Sequence, residues 1–222
     1  MKAIAITMCV MMLAVALPCW AGGSKGYYGD AGTPTVNANV KMALHVQAHG
    51  ASCKAMPSFP DTNAIVRTWN QYSDIDVFLL VFDYDSVLVV EYGLKWPGDW
   101  GLASSKFCGD PIVVGTIANS GDGTAMAWTV CQVSGGNRPA IWPVAWSWLA
   151  PISDGEIEIK DFQPNGPDST GNNDVVDCRS PGLAQEWPVR VYNAGVNVDP
   201  YEGPPRYATV PSTWGAVKAL FK

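Results

Sequence analysis

At 222 residues the chain is long enough for one domain with a sizeable core. It is 48% hydrophobic and only 15% charged, and 20 Asp and Glu outnumber 14 Lys and Arg, for a formal net charge of −6. Neutralising a phosphate backbone needs clustered Lys and Arg. No basic stripe and no aromatic–basic repeat occurs, which sets nucleic acid aside as a partner.

Residues 1–21 read as a signal peptide. Lys2 supplies the positive start, residues 3–17 the apolar run, and Cys19 and Ala21 the small residues before a cleavage site. The run is too short to span a bilayer comfortably, so no transmembrane segment is expected after cleavage. Pro18 before Cys19 lacks the small residue that lipid attachment needs. The product is expected to be exported: periplasmic, extracellular or at the cell surface. Cys9 and Cys19 leave with the leader, and Cys53, Cys108, Cys131 and Cys178 remain. An even count in an exported chain argues for two disulfides, with three connectivities open. No Cys-x-x-Cys spacing points to zinc or to thioredoxin-type redox chemistry.

Residues 22–39, rich in Gly, Asn and Thr, read as a flexible lead-in. Residues 40–47 alternate cleanly and predict a half-buried strand. His45 falls on its polar face and His49 in the loop beyond. About 13 Å separates positions i and i+4 of a strand, so the two are read as solvated and not as metal ligands. Residues 51–63 form a loop carrying Cys53, and 64–69 a short strand. Residues 75–82 are almost continuously apolar, as in a strand buried on both faces. Asp83-Tyr84-Asp85-Ser86 breaks the run and residues 87–96 return, so the stretch predicts a central β-hairpin. Leu88, Val90, Tyr92, Leu94 and Trp96 are expected on one face, and Val87, Val89, Glu91, Gly93 and Lys95 on the other. Glu91 is either a general acid or a paired sheet residue; without a second carboxylate nearby in sequence the latter is preferred. Asp74, Asp76, Asp83 and Asp85 flank the first run. Asp83-x-Asp85 could open a calcium loop, but the EF-hand Gly position holds Leu88. Turn chemistry explains these aspartates more simply, and a structural Ca²⁺ is the one cofactor left open.

Further strands are expected over 111–118, 124–133, 141–150, 155–162, 175–178 and 189–193, divided by turns such as Asn119-Ser120-Gly121-Asp122-Gly123. In 141–150, Trp142, Val144, Trp146 and Trp148 alternate onto one face. Nine or ten short strands at this spacing predict an all-β, immunoglobulin-like antiparallel sandwich over residues 40–197. Residues 198–211 form a Pro-rich linker. In 212–222, Trp214, Val217, Leu220 and Phe221 recur at helical spacing, with Lys218 and Lys222 toward the C-terminus. An amphipathic helix this short needs a docking surface.

Glu91-Tyr92-Gly93-Leu94-Lys95-Trp96, then Trp100-Gly101, Cys108 and residues 119–123, resemble a group of uncharacterised secreted proteins of uncultured bacteria, as does the ending TWGAVKALFK. The resemblance spans most of residues 40–222 and implies no catalytic residues. Together with order along the chain, it implies the pairing Cys53–Cys108 and Cys131–Cys178. More distantly, the strand, the turn and the Tyr-Gly-Leu strand are similar to cohesin-like sandwich modules, a fold-level likeness.

A non-catalytic secreted or cell-surface module for protein or surface interaction fits these features best, with the tail serving attachment, sorting or docking. The alternative is carbohydrate binding on a platform drawn from Trp96, Trp100, Trp142, Trp146 and Trp148, so the partner is a protein or a surface glycan. No Gly-x-Ser-x-Gly elbow is present. A paired-carboxylate hydrolase would need acids that converge only in space. No catalytic residue is assigned.

Overall fold

Short runs of alternating or doubly apolar sequence fold into thirteen strands in the computed structural model, which describes residues 37, 39–134, 140–160, 173–178 and 186–202. They are β1 (Lys41–Ala48), β2 (Thr68–Trp69), β3 (Ile75–Phe82), β4 (Ser86–Lys95), β5 (Gly101–Phe107), β6 (Ile112–Gly115), β7 (Gly123–Val133), β8 (Ile141–Ala150), β9 (Gly155–Lys160), β10 (Asp174–Val176), β11 (Glu186–Pro188), β12 (Arg190–Tyr192) and β13 (Ala194–Val196). A five-stranded sheet runs β12–β1–β3–β8–β5. The eight-stranded sheet runs β11–β10–β4–β9–β13–β2, with β7 paired to β4 and β6 to β7. The two pack face to face as an all-β sandwich. The leader 1–21, most of the linker 198–211 and the helix expected at 212–222 lie outside the described residues.

β3 is buried along its whole length, as its sequence predicts. Ile75, Val77, Leu79 and Val81 enter the core between the sheets, while Phe78 and Leu80 enter a second apolar cluster on the outer face. Its edges are filled by β1 and β8, both antiparallel. The expected hairpin therefore does not form: β3 and β4 belong to different sheets, and residues 83–85 carry the chain across the sandwich. A two-residue hairpin turn wants Asn-Gly or Gly-rich sequence, which Asp-Tyr-Asp lacks. Tyr84 turns inward and is buried, and Asp83 takes a left-handed φ of 56°. Asn37, placed by sequence in a flexible lead-in, is buried and caps this corner. Its side-chain oxygen accepts from Asp85 N (2.7 Å) and Ser86 N (3.2 Å).

Two bulges redirect side chains. The β4–β7 register shifts between Val87 and Val89. Val87 then faces the core with Val90, Tyr92 and Leu94, while Leu88 joins Val89 on the outer face; the sequence reading had Leu88 and Val87 reversed. A second shift, opposite Leu79 and Leu80, leaves Val144 of β8 without a partner. β5 escaped the sequence reading because Ala103, Ser104 and Ser105 give it almost no hydrophobic contrast.

Candidate functional site

A third, partial layer lies on the outer face of the five-stranded sheet. The segment from His49 to Arg67 crosses that face, and Ala51, Cys53, Phe59 and Ile65 pack against Phe78, Leu80 and Trp146. Two disulfides form: Cys53–Cys108, which ties this cap to the end of β5, and Cys131–Cys178. The cap is anchored by Asp76, which is 0% exposed. Its Oδ1 accepts from His49 Nδ1 and Trp146 Nε1, both at 2.9 Å, and its Oδ2 from the backbone N of Gly50 (2.8 Å) and Ala51 (2.6 Å). Four donors fill a carboxylate's acceptor sites, so the charge is buried without an orphan. The His49 ring stacks on Trp148, with centroids 3.9 Å apart and planes at 11°.

His45 corrects the expectation of a solvated residue: it is 5% exposed. The cap covers it, with Phe59 edge-on at 4.9 Å. Val66 N donates to Nδ1 at 3.0 Å, and Nε2 lies 3.3 Å from Gln47 Oε1. The ring is therefore the neutral Nε2–H tautomer, and burial lowers its pKa.

Beside the cap lies an open groove of about 650 Å³, floored by Ala43, Phe82 and Tyr192. Lys41 pairs with Asp83 at 2.6 Å and lies over the Phe82 ring. Arg67 pairs with Glu202 at 2.6 Å, and it and Arg190 both lie over Tyr192. These cations already meet the groove's aromatic faces and its acids.

The end of the sandwich where β3 begins and β8 stops differs from both. Three connections meet there, residues 70–74, 151–154 and 197–202, drawn from both sheets. Asp154 joins them: its Oδ1 accepts from Tyr72 Oη at 2.5 Å and Asn197 Nδ2 at 3.0 Å. Asn197 N donates to Trp69 O, and Tyr201 N to Glu156 Oε1, both at 2.8 Å. The hydrogen bonds from Tyr72 and then Asn197 hold the Asp154 pKa below its usual value, and the Asp154 carboxylate in turn raises that of Tyr72. On this fixed frame Tyr72, Ile152 and Tyr201 are 60%, 67% and 63% exposed. Large side chains held so open on hydrogen-bonded loops have the character of interface anchors. Their loops lack hydrophobic period, and sequence reasoning passed over them. The only sequence signal was a Tyr set among turn formers, in Asn70-Gln71-Tyr72-Ser73-Asp74 and Asp199-Pro200-Tyr201.

The tryptophans do not assemble into one platform. The β8 bulge turns Trp142 toward the sandwich core and Trp146 and Trp148 to the outer face. Trp96, Trp100 and Trp146 are buried and present no ring for stacking. Their indoles are structural: Trp100 donates to Ser153 Oγ at 3.0 Å, and Trp148 to Asp74 Oδ2 at 3.1 Å. The four aspartates around β3 are likewise spent at opposite ends of the strand. Asp74 and Asp76 accept from Trp148 and the cap, while Asp83 meets Lys41 and Asp85 meets Asn37 N. Among the described residues no three His, Cys, Asp or Glu side chains converge to hold a metal. Glu91 does gain a second carboxylate that sequence distance hid: Asp174 stands opposite it in register, and both are buried. Each is already engaged by a partner. Trp214, Val217, Leu220 and Phe221 lie outside the described residues.

No family model and no curated protein matches the chain. Among solved structures it is similar to a non-cellulosomal cohesin from the hyperthermophilic archaeon Archaeoglobus fulgidus, at 12% identity and a TM-score of 0.38, covering 72% of this chain and 90% of that one. It is also similar to a cohesin module from a family 33 glycoside hydrolase of Clostridium perfringens, at 10% identity and 0.36, covering 70% and 98%. Likenesses this distant carry no function across.

Proposed function

We propose that this chain is a non-catalytic, exported interaction module that docks a protein partner through the loop end carrying Tyr72, Ile152 and Tyr201. The observation that carries the reading is the convergence of three loops on Asp154, which holds the Tyr72 hydroxyl while Ile152 and Tyr201 stand exposed on the joined loops. Fixing such groups before binding lowers the ordering cost that association must meet. The polar pair that most resembles catalytic machinery, His49 and Asp76, is better read as an anchor, because four donors saturate the carboxylate. Two disulfides suit an oxidising compartment, in keeping with a leader cleaved after Ala21, and no helix among the described residues is long and apolar enough to cross a membrane. Residues 212–222 then serve attachment, sorting or docking beyond the linker.

The test is a photo-crosslinking residue placed at position 72 or 201 and, as control, at Val130, which is 68% exposed on β7. A discrete adduct from positions 72 and 201 but not from 130 is expected in the producing cells. Equal adducts from all three positions would sink the reading.

A further inference from the structure

We propose that the partner segment received at this end is basic, its Lys or Arg side chains meeting the carboxylates that rim the exposed tyrosines; the proposal rests on the docking reading above. The acids at this end outnumber its cations. Asp154 and Asp199 are exposed, while Glu202 already pairs with Arg67 and Asp74 accepts from Trp148, and residues 70–74, 151–154 and 197–202 contain no Lys or Arg. Both hydrogen bonds to Asp154 fall on Oδ1, and Oδ2 carries none among the described residues. Its lowered pKa keeps that oxygen anionic across the physiological range.

The apolar part of the surface suits the same partner. A tyrosine ring offers its face to a cation and its edge to the methylenes of Lys or Arg. The groove beside the cap has already filled its ring faces with Lys41, Arg67 and Arg190; among the described residues no cation lies over the ring of Tyr72 or Tyr201. Long-range charge points the same way. Residues 22–222 hold all 20 Asp and Glu against 13 Lys and Arg, a formal charge of −7. A field of that sign speeds approach of a basic segment and repels an acidic one, a second copy of this acidic body included.

Three eleven-residue Leu-containing peptides with Lys, Gln or Glu at the same positions serve as probes, titrated by fluorescence anisotropy against the full chain in roughly 0.15 M salt. The Lys peptide is expected to bind at least about tenfold more tightly than the other two. Asp154→Asn and the pair Tyr72→Ser/Tyr201→Ser should each weaken it by about tenfold. Asp110→Asn, an exposed acid beyond β5 and away from this end, should change nothing. Unfolding curves of the variants guard against loss of fold. If Asp110→Asn costs as much as Asp154→Asn, the attraction is the diffuse field of an acidic body and the proposal falls. If the Gln or Glu peptide binds best and depends on the tyrosines, the partner's charge is wrong while the docking reading stands. If no peptide depends on the tyrosines, this proposal fails, and crosslinking at position 72 decides separately whether the docking reading fails with it.

Discussion

Asp76 and Asp154 do the same chemistry in two different settings. Each gathers aromatic and amide or backbone donors from segments far apart in sequence. Asp76 does so beneath the cap, fully buried, with four donors on its two oxygens. Asp154 does so in the open, with both donors on one oxygen. Burial decides what each is for. In a low dielectric an unmatched donor or charge is expensive, so a saturated carboxylate becomes a stability element. In water the same bonds contribute little to folding, yet they set the positions of the side chains around them. The cap is therefore where substitutions should unfold the protein, and the loop end is where they should alter binding and leave the fold alone.

The sharpest way to break this contrast is Asp76→Asn. The amide keeps the shape, but its NH₂ faces donors it cannot accept from, leaving two of the four unpaired. A loss of about 3–5 kcal/mol in urea unfolding is expected, as for other broken buried charge networks. A loss below about 1 kcal/mol, the range of surface substitutions, would mean that the cap is not anchored through Asp76. Next in size is Cys53→Ser/Cys108→Ser. The bridge closes a loop with a sequence separation of 55, and its removal should cost about 2–4 kcal/mol. Hydrogen exchange should show protection lost first over residues 49–67 and retained in β3 and β4, because only the cap depends on that tie.

Sequence made one side of this contrast easier to see than the other. The double burial of β3 was legible because an unbroken apolar run has no face to give to water. Its partners were not. Whether Asp83-Tyr84-Asp85 turns back or crosses to the other sheet depends on β1 and β8, which already occupy both edges of β3, and no local pattern records that. Pro143 lacks a ladder donor and so suggests an edge strand, yet β8 lies between β3 and β5 with Pro143 beside a bulge, and alternation alone could not say that the bulge sends Trp146 and Trp148 to the opposite side from Trp142. His45 was misread because the outer face of β1 looked polar, and the loop that covers it arrives from later in the chain. The anchors failed to register for a related reason. Asp76 meets His49 across 27 residues and Trp146 across 70, and Tyr72 meets Asp154 across 82. Each residue in isolation is an ordinary strand-end or loop side chain.

A smaller effect, again in the cap, comes from His45. Its folded-state pKa lies below the unfolded value of about 6.5. The unfolded chain therefore binds the proton first as pH falls, and stability held above pH 6.5 is lost on the way down toward the folded pKa. The slope attributable to one group is at most about 1.4 kcal/mol per pH unit. His45→Gln keeps an acceptor for Val66 N and removes the titration, so the fall in urea midpoint as pH drops below about 6.5 should be shallower than in the parent. An unchanged slope would place the acid sensitivity elsewhere.

The smallest expected effect carries the comparison furthest. Asp154→Asn makes the same substitution as at Asp76, one carboxylate oxygen exchanged for an NH₂. The side-chain carbonyl can still accept from Tyr72, and water satisfies whatever is left, so no measurable change in the unfolding midpoint is expected. What changes is the charge on the face beside Tyr72 and Tyr201. A variant that unfolds like its parent but binds a basic peptide less tightly separates the two roles of one chemistry within a single protein. If instead Asp154→Asn shifts the midpoint as far as Asp76→Asn, the loop end is part of the stabilising frame, and its exposed tyrosines need another explanation.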